Sequence, residues 1–388
     1  MGKIGIGIIG ARFAADLHAH TYGRLREKID LVAVCSKTRE SAETFARKFK
    51  IPNVYTDHRQ MLERKDIHVI DLCVTTNLHH TMAIDAANAG KNIICEKPLT
   101  GFFGDGKTIS RQVMMEEALK NASSVLKAVR ANRVKFGYAE NFVYAPPVTK
   151  LKNLMKACQG TVLDIRAEES HSGSHAAYSR EWKTSGGGSL LRMGAHPVGA
   201  VLHLKHYEGL MKFGRPIRAK SVIGDVGHLT KMEAFRKEPK KWLVDSWADV
   251  EDWSAALITF EDGSKGTILA TDVSLGGVKN LVSVFMSNAA VMVNINPNTS
   301  LVVYSPERNI FGSEYITEKV ETTAGWQFPS PDEDWMRGYP QEMEDFINAV
   351  IEDRDPVSST DLAYETVEVI YAAYLSAETG KRIELARK

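Results

Sequence analysis

Glu96-Lys97-Pro98 sets a carboxylate, an ammonium group and a backbone-fixing proline side by side. The three follow Asn92-Ile93-Ile94-Cys95, an apolar run of the length of one buried strand. Ligands of open parallel sheets gather at the carboxyl ends of strands. Lys97 therefore reads as a positioned proton-handling group. A solvated lysine at a strand-to-loop turn is the other reading of the same residues, and the rest of the N-terminal half favours the first.

The chain opens with a β-rich apolar run, residues 3–9, that ends on Gly10, and residues 11–18 take up a helical pattern. Strand, tight glycine turn and helix cradle a pyrophosphate, because backbone N–H groups and the helix dipole face the anion. Read as G-x-G-x-x-G/A from Gly10, the third position is Ala15, an allowed variant. The second is Arg12, a long cation where an absent side chain normally lets phosphates approach. Some other βα turn fits the fragment as well.

These residues need a scaffold, and the spacing predicts one. Residues 31–35 form a second strand-like run, and Ala42, Phe45, Ala46 and Phe49 share one helical face after it. Residues 69–74 form a third run and lead through Thr75-Thr76-Asn77 into a helix that Gly90 ends. Strands alternating with helices predict an α/β, doubly wound parallel sheet.

At 388 residues and 44% hydrophobic, the chain exceeds what one core usually supports and implies two domains. A net charge of +1 gives no electrostatic case for nucleic acid or an anionic membrane. Cys35, Cys73, Cys95 and Cys158 lack metal-like spacing and read as buried thiols. The first strand starts almost at Met1, which leaves no room for a signal peptide, and no apolar run approaches a membrane span. The expected location is the cytoplasm.

Beyond residue 143 the pattern changes. Ala145-Pro146-Pro147 reads as a domain joint, so the division expected is 1–143 for dinucleotide binding and 144–388 for substrate binding and oligomerisation. A helix is expected around 148–158. Leu163, Ile165 and Ala167 then alternate with Asp164, Arg166 and Glu168, the period of a sheet with one polar face. Further strands at 253–260, 265–271, 281–287 and 290–295, with Asp262-Gly263 as a hairpin turn, predict an α+β domain on a mostly antiparallel open sheet. Two helices close the chain, one opening at Pro340 and one over 360–380.

Taken together, the chain resembles the glucose–fructose oxidoreductase / inositol dehydrogenase / MocA family of nicotinamide-dependent sugar and polyol dehydrogenases. The resemblance rests on Gly7-Ile8-Ile9-Gly10-Ala11 with His18, on Thr76-Asn77 with His80, on Glu96-Lys97-Pro98 and Asn141, on Gly186-Gly187-Gly188, Gly194 and His196, and on residues 376–380. It implies an N-terminal Rossmann domain and a C-terminal α+β domain. It also implies that Lys97 lies beside the nicotinamide, that Glu96 contacts its ribose, and that Asn77 and His80 line the cofactor cleft. Gly10, Arg12, Phe13 and Thr76 are expected to bind the cofactor with them. His196 would face the substrate hydroxyl. Hydride transfer from a secondary alcohol needs a base for the hydroxyl proton, and an imidazole changes charge near neutral pH. Lys97 would stabilise the developing alkoxide and relay the proton. A core or capping histidine after the glycine turn is the plainer reading of His196.

Three features depart from the family pattern. Arg192 stands where an Asp usually precedes the active-site histidine by four residues. It cannot take a proton. It would clamp an acidic sugar, keep His196 neutral, or pair structurally with Glu168 or Glu169. Arg12 is the second departure. The third is an insertion containing Gly101-Phe102-Phe103-Gly104-Asp105-Gly106 and Ser110-Arg111, read as a lid, a subunit contact or a plain surface excursion.

Ser36-Lys37-Thr38-Arg39 replaces the acidic residue that would accept the ribose hydroxyls of NAD, so Ser36, Lys37 and Arg39 point to NADP, with NAD the alternative. Solvated cations at a helix start are the plainer reading of Lys37 and Arg39. His171-Ser172-Gly173-Ser174-His175 looks like a loop and not a metal site, so no metal is expected. With Lys183, Arg192, Asn141 and Tyr144, His171 is expected to line a polar pocket for a carbohydrate. The expectation is an NAD(P)-dependent dehydrogenase or reductase of a sugar, polyol, sugar acid or glycoside, assembled as a homo-oligomer, dimer or tetramer. Two alternatives are a redox-neutral carbohydrate enzyme with tightly held cofactor and a non-catalytic NAD(P)-binding regulator.

Overall fold

The computed structural model describes residues 2–296 and 301–385. The N-terminal half alternates strands and helices as expected. It runs β1 (Ile4–Ile9), α1 (Phe13–Tyr22), β2 (Ile29–Cys35), α2 (Arg39–Phe49), β3 (Asn53–Tyr55) and α3 (His58–Leu62). It continues with β4 (Val69–Leu72), α4 (Thr76–Asn88), β5 (Asn92–Glu96), α5 (Arg111–Asn132) and β6 (Phe136–Ala139). All six strands are parallel, in the order β3-β2-β1-β4-β5-β6. The order reverses between β1 and β4, which opens a crevice at their carboxyl ends. β4 and β6 are buried along their whole length, Asp71 of β4 included.

The second half begins with α6 (Pro146–Cys158), β7 (Val162–Ser170), α7 (Trp182–Ser185), α8 (Ser189–Arg192) and α9 (Ala195–Phe213). Then come β8 (Ala219–Gly227), α10 (Glu233–Arg236), β9 (Trp253–Phe260), β10 (Lys265–Thr271), β11 (Lys279–Met286) and β12 (Ala290–Asn294). The chain closes with β13 (Val303–Ser305), β14 (Gly325–Gln327), α11 (Glu333–Arg337), α12 (Tyr339–Ile351), α13 (Thr360–Thr379) and β15 (Ile383–Glu384). Seven strands pair in the order β12-β11-β7-β10-β9-β8-β15. Every neighbour is antiparallel except β7 and β10, which run parallel. One face carries the core: Ser254, Ala256, Ile258 and Phe260 of β9 are buried, while the residues between them are half-buried.

Two details differ from the sequence reading. Leu163 is 55% exposed, because a bulge opposite Phe285 and Met286 skips it from the ladder and turns it outward. β8 was not anticipated, since its glycines and Asp225 interrupt any apolar alternation.

The last helices tie the halves together. α12 packs on α1 and β6, with Phe346 against Gly137 and Lys28 donating to Glu344 and Asn348. α13 is buried from Leu362 through Ser376 and lies against α5, α9 and β8.

Candidate functional site

Gly10 adopts φ +120° where β1 turns into α1, and a Cβ there would collide with the Cys73 carbonyl at the end of β4. The first turns of α1 and α4 receive no side-chain cap from Arg12 or Thr75. Their amide donors stay available at the sheet's switch point, the arrangement that suits a pyrophosphate. A cavity of about 590 Å³ opens from this edge towards the second sheet. Arg12, Phe13, Thr76, Glu96 and Lys97 line one end, and Asn141, Glu169, His171, Arg192, His196 and Arg337 the other. The glycine turn, bare helix ends and flanking carboxylate fit a dinucleotide.

Lys97 Nζ donates to the Arg192 carbonyl at 2.8 Å, and the Lys97–Pro98 peptide is cis. Glu96 accepts from the Lys97 amide at 3.0 Å and stands 3.2 Å from His18 Nε2. Behind it, His18 Nδ1 lies 3.0 Å from both Asp71 oxygens, and the Tyr22 hydroxyl donates to Asp71 at 2.9 Å. Burial opposes charge on His18, but Asp71 and Cys73 outweigh it, and its pKa is raised. His18, Asp71 and Cys73 have ligand atoms within 4.8 Å of one another. Hydrogen bonds among them, and burial that pushes the Cys73 thiol up, explain the cluster without an ion.

His196, near the start of α9, stacks on Phe142 at 4.8 Å. Its Nδ1 lies 2.7 Å from Glu140 Oε1, and its Nε2 lies 3.7 Å from Glu169 Oε2. Burial, reinforced by Lys97 and Arg337, holds the His196 pKa well below that of a free imidazole. Burial raises Glu140 strongly against the pull of Lys97, and it raises Glu169 to about 7.

Arg192 does pair structurally, but with Asp272 and not with Glu168 or Glu169, and it stacks over Trp247 at 4.9 Å. The parallel pairing of β7 and β10 brings Asp272 to the edge that carries Glu169 and His171. The Arg192 Nε is buried and unpartnered.

Several expected pocket residues lie elsewhere. Tyr144 donates to Asp345 at 2.8 Å and accepts from the Ser358 amide, so it secures α12 and does not line the cavity. Lys183 is exposed and pairs with Glu181 at 2.8 Å. His80 stacks on Phe103, and the Asn77 side chain accepts from the Thr75 hydroxyl; neither lines the cavity. Ser36, Lys37 and Arg39 sit at the carboxyl end of β2, beyond the cavity lining, and Arg39 bonds Glu43 at 2.8 Å. Asn141 does line it, anchored by donating to the Arg337 carbonyl at 2.9 Å.

The insertion is anchored at its first half, although Asp105, Lys107, Thr108 and Ser110 are exposed. Phe102 is buried, and its amide donates to the Tyr371 hydroxyl at 2.6 Å, which in turn donates to the Gly186 carbonyl at 2.7 Å. Arg111 stacks over Trp182 at 4.2 Å. The segment is a strap that joins α13 to the glycine turn.

Glu140, Asp272, Lys319 and Arg337 were not anticipated. Glu140 carried a signal: it directly follows β6, at the same sheet edge as Glu96 and Lys97. Arg337 is held by Glu318 and Glu333, and Lys319 by the Gly173 carbonyl.

This sheet order, bare helix starts at its switch point and a polar second domain across the crevice define a two-domain dinucleotide-binding enzyme. The oxidoreductase family with an NAD-binding Rossmann fold matches residues 4–125, and that family's C-terminal alpha/beta domain matches residues 160–385. The chain belongs to this family, that of glucose–fructose oxidoreductase, inositol dehydrogenase and MocA. Myo-inositol 2-dehydrogenase of Thermotoga maritima is 23% identical over 380 residues, 98% of each chain. D-glucoside 3-dehydrogenase of Escherichia coli is 23% identical over 98% of this chain and 97% of its own. Levoglucosan dehydrogenase of Pseudarthrobacter phenanthrenivorans is 32% identical, over 32% of each chain. Among solved structures, GenD2 from gentamicin A biosynthesis in complex with NAD superposes with a TM-score of 0.82 at 23% identity, covering 100% of this chain and 97% of that one. Among the described residues, no helix is long and apolar enough to cross a membrane.

Proposed function

We propose that this chain moves a hydride between a nicotinamide cofactor and a secondary alcohol of a sugar, polyol, sugar acid or glycoside. The observation that carries the reading is the single cavity lined by Lys97 and His196, from different domains, together with Glu96, Arg12 and Thr76. The nicotinamide, when bound, supplies the hydride acceptor. Lys97 stabilises the developing alkoxide, and His196 Nε2 takes the hydroxyl proton. Glu96 orients the ribose, while His18, held by Asp71, keeps Glu96 in place. Asn141 and His171 contact substrate hydroxyls, and Arg337 adds positive charge to the same wall.

NADP is the proposed cofactor, on the strength of Ser36-Lys37-Thr38-Arg39 and the lack of an acidic residue among them. Two solved neighbours, GenD2 in complex with NAD and levoglucosan dehydrogenase in complex with NADH, keep NAD as the rival. A cytoplasmic homo-oligomer acting on a small carbohydrate is the accompanying proposal.

Incubating the pure protein with a panel of sugars, polyols and glycosides and either oxidised cofactor tests the reading by absorbance of the reduced ring. Reduction with one compound supports it. Turnover without net reduction would instead indicate redox-neutral chemistry, and no turnover a regulator.

A further inference from the structure

His196 reaches the cavity with Nε2, and behind it Nδ1 meets one partner, Glu140 Oε1, at 2.7 Å. Glu140 is fully buried, its Oε2 has no partner, and its carboxylate packs against Gly199 of α9. Phe142, two residues on, stacks at 12° to the imidazole plane and fixes the ring's orientation. The base thus has a bare carboxylate oxygen set behind it, sealed from solvent.

We propose that Glu140 acts through His196 as a positioning residue and proton partner: when the substrate hydroxyl gives its proton to Nε2, the proton on Nδ1 passes to Glu140. The step breaks the substrate O–H bond and forms Nε2–H; it breaks Nδ1–H and forms Oε1–H. The imidazole changes tautomer and stays neutral, the carboxylate becomes a carboxylic acid, and the C–H electron pair leaves as the hydride. The inference rests on the dehydrogenase reading with His196 as base.

The surroundings favour this over a buried imidazolium. Lys97 after β5 and Arg337 on α11 both oppose a cation on His196, and burial adds to them. Glu140 is pushed the other way by burial and by Glu169 on β7, with Lys97 opposing and Glu96 adding to the rise. Tyr138 on β6 and Glu342 on α12 also face this carboxyl group. A proton shared within the pair avoids placing either charge alone in a dry site.

The test is the tautomer of the ring itself. With ¹⁵N-labelled histidine, long-range proton–nitrogen correlations of His196, assigned by their loss in His196→Asn, are followed from about pH 5 to about pH 9, either side of a free imidazole's range. The result expected is a switch from Nε2–H to Nδ1–H without a doubly protonated ring, and its disappearance in Glu140→Gln. Passage through an imidazolium, or the same titration in Glu140→Gln, overturns the proposal. In turnover, Glu140→Gln should lower kcat by about 10²-fold and remove one limb of the pH profile, with KM little changed and partial rescue by Glu140→Asp. An unchanged pH profile in an active Glu140→Gln enzyme also overturns it. Should the wild type reduce neither cofactor with any carbohydrate, the dehydrogenase reading fails, while the ring titration still decides the Glu140–His196 relation.

Discussion

The Lys97 ammonium group donates to the backbone carbonyl of Arg192 at 2.8 Å, so the residue after β5 is tethered to the end of α8 in the other domain. That bond aims the ammonium group into the cavity, on the side where His196 also opens. Removing the charge while keeping the stem should separate chemistry from binding. Lys97→Met is expected to lower kcat by about 10²–10⁴-fold, the usual worth of a positioned proton-transfer group. Cofactor affinity, followed by fluorescence titration, should stay nearly unchanged. Unchanged kcat would remove Lys97 from the reaction.

Arg192 and Asp272 form a buried ion pair, with side-chain exposures of 10% and 0%. Arg192→Ala leaves Asp272 uncompensated and is expected to cost about 3–5 kcal/mol in urea unfolding. Replacing both, as in Arg192→Met with Asp272→Leu, should cost less than either single change. Additive losses would show that the pair is not coupled. A stable Arg192→Ala enzyme with impaired binding of acidic sugars alone would restore the substrate-clamp reading.

Cofactor preference turns on Lys37, since Arg39 is engaged by Glu43. Lys37→Glu should weaken NADP by about tenfold, roughly 1.4 kcal/mol, and leave NAD unaffected or improved. Titration calorimetry with both cofactors reads this directly. Tighter NAD in the wild type would discard the NADP assignment.

Glu342 of α12 is fully buried and neither carboxylate oxygen has a partner. Burial raises its pKa, with His18 opposing and Glu96, Glu140 and Asp71 adding to the rise. The native protein therefore holds this proton over a range where the unfolded chain has lost it. Stability from this group is intact below the unfolded value and falls as pH climbs towards the folded one. Glu342→Gln should consequently gain on the wild type as pH rises, by at most about 1.4 kcal/mol per pH unit. Thermal melts in matched buffers measure the gap. A gap that narrows would contradict the burial argument.

The Tyr371 hydroxyl bridges the Phe102 amide and the Gly186 carbonyl. Tyr371→Phe orphans both buried groups and should cost about 1–3 kcal/mol. Hydrogen exchange at Phe102 is expected to speed up well before global unfolding does. Equal protection in the variant would mean the strap is held by packing alone.

The first domain was legible because parallel buried strands are mostly apolar and end at the edge where ligands sit, so Gly10, Thr76, Glu96 and Lys97 could be placed by local pattern. The second was legible in its hairpins, in β7 and in the helices α6, α12 and α13, but not in how its strands pair across the sheet. β9 and β10 are joined by Asp262-Gly263, with Gly263 at φ +88°, and alternate cleanly. The parallel contact of β7 with β10 links residues about a hundred positions apart, and no local periodicity encodes it. That contact delivers Asp272 to Arg192, so the partner expected from neighbouring sequence, Glu168 or Glu169, was the wrong carboxylate. Tyr144 misled for the opposite reason: it follows Asn141 closely, but the 3-10 turn at Asn141–Val143 directs it away, towards Asp345.

α12 and α13 are the last two helices of the described chain, yet they complete the packing of β6 and α5 in the first half. The N-terminal sheet therefore cannot finish its hydrophobic surface until α12 and α13 have been synthesised. Heating the intact protein should give one calorimetric transition and not two, and a fragment ending near residue 143 should expose sticky apolar surface and need rescue by the missing piece.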